Sequence, residues 1–254
     1  MKIGIDVVWL TAVFLAAVRL GPLFVLAPVF GAVNIPVRVR VFLSLALAAT
    51  LATQIDLQAA AIPTTAGSLI GAAMVELVVG MAFAFGLFAA FGAFLFGGRI
   101  LDIQIGFGVA SLIDPATRSQ APLLGTALNL LAVVVFFAVD GHHMIIRALA
   151  WSFERLPPGR SLGELEATAV GAQFGVMFAY GLLIVAPAVF ALLLLDVALA
   201  VMARTMPQMN VFIVAMPLKV VVGLLVLALS VRHMQPAMNR IFESVPLYWQ
   251  RLLP

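Results

Sequence analysis

Cysteine is absent from the sequence, which excludes disulfides, thiolate metal sites and a cysteine nucleophile. Charge is scarce as well. Asp, Glu, Lys and Arg make up 10% of the chain, against about 25% in a soluble domain. So few charged groups cannot clothe a water-soluble fold of this size. The basic residues are scattered without a run that reads as a nucleic-acid patch, so no nucleic-acid partner is expected. There is no G-x-S-x-G, no H-E-x-x-H and no Walker A motif, and no paired catalytic groups stand out. No enzyme activity, cofactor or metal is therefore expected. What the chain has instead is apolar bulk: 64% of its 254 residues are hydrophobic, and the mean hydropathy is +1.19. Lipid, or other apolar protein, is the solvent that such a surface suits.

About six hydrophobic segments stand out, at 7–30, 39–53, 68–96, 123–139, 168–202 and 216–231. The expected fold class is all-α, a polytopic membrane protein in which some helices are kinked or broken into hairpins, with residues 1–254 forming one helical domain. The first apolar stretch is too long for a cleavable signal and is interrupted by Asp6 and Arg19, so it is expected to remain as a membrane segment. The segments fit a simple bundle of spans poorly. The second is barely long enough to cross. The fifth would extend roughly 50 Å as a single helix, beyond a hydrocarbon core of about 30 Å, and Pro187 within it is expected to kink or split it. Lys and Arg divide almost evenly between the two sides of a six-span arrangement, so charge bias sets no orientation.

Two connections are unusual. Residues 97–122 read GGRILDIQIGFGVASLIDPATRSQAP, apolar yet rich in glycine, with Asp102, Gln104 and Asp114 interspersed. Gly106 and Gly108 weaken a helix through them, and Pro115 and Pro122 punctuate the end. Non-helical backbone at membrane depth is tolerated where protein or a water-filled cavity surrounds it. The stretch reads as a pore-lining or plug loop, or as a plain surface loop. Residues 204–219 carry Pro207, Gln208, Met209, Asn210, Phe212, Pro217 and Lys219 between the last two apolar segments. They read as a re-entrant or tight turn that serves subunit packing, or as a plain interhelical turn.

Charges inside apolar stretches are functional candidates by default. They are Arg19, Glu76 and Asp196, with Asp102 beside them in the glycine-rich stretch. An ion or proton pathway is one reading. A buried pair such as Arg19 with Glu76 is the favoured one. Small residues recur at four-residue spacing at Gly171, Gly175 and Ala179 and at Gly80 and Ala84, which lets helix backbones approach closely within one chain or between subunits. His142 and His143 are adjacent and so point differently along a helix. Asp140, just ahead of them, is expected to cap a helix.

Read in order, these features resemble one family. The series runs Arg19, Pro22, Pro28, Phe30, Pro36, Arg38 and Arg40, then Glu76 and Gly80, then Gly98, Asp102, Gln104, Gly106, Asp114 and Pro115. It continues through Asp140-Gly141-His142-His143, Ser152-Phe153 and 157–159 to Pro207-Gln208-Met209-Asn210, Phe212, Pro217 and Gly223. Order and spacing together are similar to the FliR family of flagellar biosynthesis, whose virulence counterpart is the T component of type III secretion. The resemblance covers nearly the whole chain. It implies a subunit of a helical export gate in the bacterial inner membrane at the flagellar basal body, assembled with FliP-like and FliQ-like subunits. FlhB-like and FlhA-like export components, unfolded flagellar substrates and membrane lipid are the further partners it implies. It also implies a passive conduit driven by the proton-motive force and a separate ATPase, plugged when closed by a loop of this subunit. By position that loop holds Gln104, Ile105, Gly106, Phe107, Gly108 and Leu112, with Ile105 and Phe107 as apolar tips. The competing reading is a proton-coupled secondary transporter for small molecules, working through Glu76 and Asp196.

Overall fold

The computed structural model describes residues 7–29, 35–53, 61, 63–107, 122–160, 166–206, 208 and 210–253. Helix is the only regular structure among them. The elements are α1 (Val7–Leu26), α2 (Val37–Ala52), α3 (Ala66–Ile105), α4 (Leu123–Ala138), α5 (Gly141–Arg155), α6 (Ala167–Thr205) and α7 (Val211–Leu252). The chain is an all-α polytopic membrane protein. Four of these helices are long and apolar enough to cross a bilayer, or five when the bent pair α4 and α5 counts as one span.

That is fewer spans than the roughly six hydrophobic segments suggested. The second segment becomes α2, whose 16 residues reach about 24 Å at 1.5 Å per residue. A hydrocarbon core is about 30 Å thick. In compensation three of the helices that do qualify are long. α3 runs for 40 residues, α6 for 39 and α7 for 42.

The helix boundaries bear on three expectations about breaks. Pro187 does not split α6, which continues through it to Thr205. Proline inside an apolar helix is tolerated where neighbouring groups take over the freed backbone acceptor. The glycine-rich stretch is helical as far as Ile105, so Gly97, Gly98, Asp102, Gln104 and Ile105 belong to α3 rather than to a loop. The region around 204–219 takes the form of a turn between two helices. The described turn lies between Thr205 and Val211, leaving Phe212, Pro217 and Lys219 in the first turns of α7.

The chain forms two compact units. The first comprises Met1–Ala89, Phe136–Phe174 and Glu243–Pro254, and the second Ala90–Val135 and Gly175–Phe242. In the first, α1 packs on α2, and the buried set includes Leu15, Leu20 and Leu23 of α1, Phe83 of α3, Phe153 of α5 and Trp249 of α7. Trp249 stacks on Phe83 at 5.3 Å between ring centroids. Its indole N–H donates to the Phe83 carbonyl at 3.0 Å, and the Tyr248 hydroxyl donates to the Ala82 carbonyl at 2.9 Å. Gly86 makes room for both rings, because a Cβ there would lie 2.8 Å from Tyr248 Cδ1.

In the second unit, glycines set the helix approaches. A Cβ at Gly97 would lie 2.5 Å from the Gly181 carbonyl oxygen, and Gly98 abuts the backbone of Gly125. Phe242 is flanked by Phe91 and Phe94. Small residues on apolar helices thus bring α3 against α6 and α4 at backbone distance, where dispersion contacts replace the hydrophobic drive that lipid cannot supply.

Candidate functional site at the ends of the long helices

The first unit holds a polar knot in an apolar setting. Arg19, on α1, is fully enclosed. Its Nε donates to Glu76 Oε2 at 2.5 Å, and the two side chains have 0% relative exposure. Its remaining nitrogens turn to the end of α5. One donates to the Ser152 carbonyl at 3.0 Å and to the Ser152 hydroxyl at 3.2 Å. The other donates to the Leu156 carbonyl at 2.8 Å. The guanidinium lies 4.3 Å from the centre of the Phe153 ring. The planar fork of arginine suits this task, since it spreads several donors over one rigid group.

Glu76, on α3, completes the knot. Its second oxygen accepts the Gly159 N–H at 3.2 Å. Gly159 has φ +82°, and a Cβ there would strike the Ala61 carbonyl oxygen. A side chain is thus excluded twice, by conformation and by space. Arg19 therefore closes the C-terminal end of α5, where carbonyls lack helical partners. Glu76 holds the connection that follows. The pairing left open by the residue pattern is present. The carboxylate needed for a proton-coupled transporter has both oxygens engaged.

The second unit holds Asp102, Gln104, Ile105, Gly106 and Phe107 of the glycine-rich stretch. Asp102 is 4% exposed. Its carboxylate accepts the backbone N–H of Leu124 at 3.0 Å and of Gly125 at 3.2 Å, in the first turn of α4. Two residues beyond it, Gln104 lines an open hollow of about 400 Å³ with Ile100, Ile103 and Lys219. Ile105 is buried and fills the space that a side chain at Gly223 would need, since a Cβ there would lie 2.6 Å from Ile105 Cδ1. Gly106 has φ +97°, and its N–H closes α3 by donating to the Asp102 carbonyl at 3.2 Å. This is a left-handed glycine stop. Phe107 follows it, partly exposed. Gly108 and Leu112 lie outside the described residues.

Asp196 pairs with Lys219 across the α6–α7 connection, at 2.5 Å and with side-chain exposures of 39% and 22%. Of the turn residues, Gln208 and Asn210 are exposed. Asn210 accepts the Ile213 N–H through its carbonyl at 3.1 Å, which starts α7. Pro207 and Met209 lie outside the described residues, as does the side chain of Phe212.

Asp140 occupies the position ahead of α5 but does not cap it through its side chain. It sits at φ 55° and ψ 32° with no side-chain cap hydrogen bond, and its carboxylate lies 3.4 Å from His143 Nδ1. The possible ligand atoms of Asp140, His142 and His143 fall within 4.8 Å of one another. The two imidazoles are tilted by 38° to each other with their centroids 4.0 Å apart, a ring contact between adjacent residues.

One feature escaped the sequence reading: α7 continues to Leu252. A signal for it was present. Met234, Met238, Ile241, Phe242, Val245, Tyr248, Trp249 and Leu252 are all buried, and their three- and four-residue spacing is that of one helix face.

Comparison with known proteins fits this architecture. Residues 10–245 match the family model of bacterial export proteins, family 1. The flagellar biosynthetic protein FliR of Bacillus subtilis is 29% identical over 236 residues, spanning 91% of this chain and 90% of the relative. That of Aquifex aeolicus is 30% identical over 218 residues, spanning 85% and 84%. The secretion system apparatus protein SsaT of Salmonella typhimurium is 28% identical over 157 residues, 61% of each chain. With its helical membrane architecture and a match that runs almost from end to end, the chain belongs to the bacterial export proteins, family 1.

Proposed function

We propose that this chain is a subunit of the flagellar type III protein export gate, which forms with FliP-like and FliQ-like subunits a channel for unfolded flagellar proteins in the bacterial inner membrane. The observation that carries this reading is the likeness to flagellar FliR proteins over about nine-tenths of both chains. The likeness to the virulence counterpart SsaT covers less, at 61%. FlhB-like and FlhA-like components are the neighbours expected at the gate.

The surface supports an assembly. In the most apolar window of α7 only 11% of residues are buried within the chain, and in that of α6 only 28%. Phe178, Leu182, Phe190, Leu193 and Val197 of α6 stand exposed. Lipid or partner helices must cover them. In this reading the protein performs no chemistry. It shapes the path, and its stretch from Gln104 to Leu112 belongs to the closed gate's plug.

Two experiments test the proposal. The first is the mass of the complex purified through this chain, expressed with and without its neighbouring export proteins. A multi-subunit assembly with one copy of this chain is expected, and a stable monomer that binds a small solute would overturn the gate reading. The second is deletion of 105–108, which should make the assembled gate leak ions. Unchanged conductance would remove the plug assignment.

A further inference from the structure

A helix usually finds its N-terminal cap in the residue just before it, whose side-chain oxygen takes one of the free N–H groups. α4 cannot do this. Pro122 precedes it and has no side-chain oxygen. The Pro122 carbonyl accepts the N–H and hydroxyl of Thr126, which leaves the N–H groups of Leu124 and Gly125 to be met from elsewhere. Both are met by Asp102, from the last turn of another helix. In apolar surroundings each unmet N–H is costly, because no water replaces the lost partner. The carboxylate also sits where the helix dipole favours negative charge.

The same residue acts at the end of its own helix. The Asp102 carbonyl takes the N–H of Gly106, the residue that turns left-handed and stops α3. Close approach of the two helices is possible because Gly98 abuts Gly125 without side chains between them. On its other side the segment is seated on α7, where Ile105 fills the space above Gly223, and a side chain at Gly106 would touch Met216. The segment Gln104–Phe107 is thus held from two directions, by a charge-assisted hydrogen bond pair towards α4 and by apolar packing towards α7.

We propose that Asp102 is the positioning residue of this segment: its buried carboxylate, by capping α4, fixes where Gln104, Ile105, Gly106 and Phe107 stand. The consequence for gating rests on the plug reading above, whereas the positioning itself does not.

The absence of cysteine makes the test direct, since Gln104→Cys gives this chain a single thiol at the rim of the hollow, read on this chain's own band after the complex is separated. The rate of maleimide labelling is measured in the assembled membrane complex, in a Q104C background with Asp102 kept, D102N or D102A. Loss of both charge-assisted bonds should raise the D102A rate about tenfold or more, since one such bond is worth at least a tenfold change in an equilibrium. Asn keeps one acceptor oxygen of similar reach and caps nearly as well, so D102N should fall between the two. It also serves where D102A fails to assemble. Labelling that is equal in all three overturns the proposal, as does a D102N rate equal to that of D102A, because a merely space-filling role would not distinguish oxygen from methyl in this order. Ion conductance of the same complexes separates the two claims. Faster labelling with higher conductance supports positioning and plug together. Faster labelling with unchanged conductance supports the positioning and counts against the plug.

Discussion

Arg19 Nε and Glu76 Oε2 meet at 2.5 Å in a part of the protein closed to its surroundings, and each partner also holds backbone from the end of α5 and the turn after it. Two helices far apart in sequence are thereby tied to one helix end. A buried ion pair costs desolvation and is recovered through mutual attraction and through satisfying the remaining donors and acceptors. Here nearly every polar atom of the pair has work to do.

Removing one partner should therefore be worse than removing both. R19A or E76A is expected to destabilise the protein by about 3–5 kcal/mol, because each leaves an uncompensated charge inside. The double variant R19M/E76L should be less destabilised than either single. Unfolding in detergent with denaturant, read against a double-mutant cycle, measures the order. A double variant as unstable as the sum of the singles would show that the two residues act independently.

The surroundings of the glycines separate packing inside the chain from packing that the chain offers outward. Gly97→Ala should cost about 1–3 kcal/mol, since its Cβ would meet backbone oxygen that cannot move aside. Gly171 and Gly175 have nothing within 4 Å of a Cβ. Alanine there should be neutral or stabilise the isolated chain by up to about 1 kcal/mol, from helix propensity. In the proposed assembly the same two substitutions should lower recovery of the complex. Thermal unfolding of the purified chain and pull-down yield read the two effects apart.

Trp249 carries the joint between the end of α7 and α3. W249A is expected to cost about 3–5 kcal/mol, as for other large core truncations. W249F keeps the stack on Phe83 but loses the indole bond to its carbonyl, for about 1 kcal/mol. Equal losses for the two variants would place the whole effect in the hydrogen bond. Denaturant midpoints at constant slope supply the comparison.

Much of this arrangement was legible in the residues, and the misses share a cause. Low charge and long apolar runs identified membrane helices, and the unusual charges Arg19, Glu76, Asp102 and Asp196 stood out because charge in an apolar segment demands a partner. What the sequence does not carry is distance. Nothing local marks Asp102 as the cap of a helix that begins beyond Pro122, or Lys219 as the partner of Asp196. Composition also misplaced boundaries. Gly97 and Gly98 were read as loop, although in an apolar bundle glycine is a device for close helix approach as readily as a breaker. The last apolar segment stops at Val231, where polar residues such as Arg232, His233 and Arg240 begin. They are the outer face of a helix whose inner face continues to Leu252.

The Asp196–Lys219 pair yields the last prediction, and its size depends on what surrounds it. In water, a pair exposed to this degree would be worth about 0–1 kcal/mol. The neighbours here are Leu193, Leu194 and Val197 on α6 and Leu218 and Val221 on α7, all exposed and apolar. Where lipid covers this face the pair is not screened, and a lone charge there costs about 2.5–3.5 kcal/mol on insertion scales. K219M alone should lose about 2–3 kcal/mol when measured in a lipid nanodisc. D196L/K219M should return most of that loss, because no charge is left behind. A K219M loss below about 0.5 kcal/mol would mean that water reaches this face. The pair would then be a solvated contact on the α6–α7 hairpin rather than the fastening of its two helices in an apolar setting.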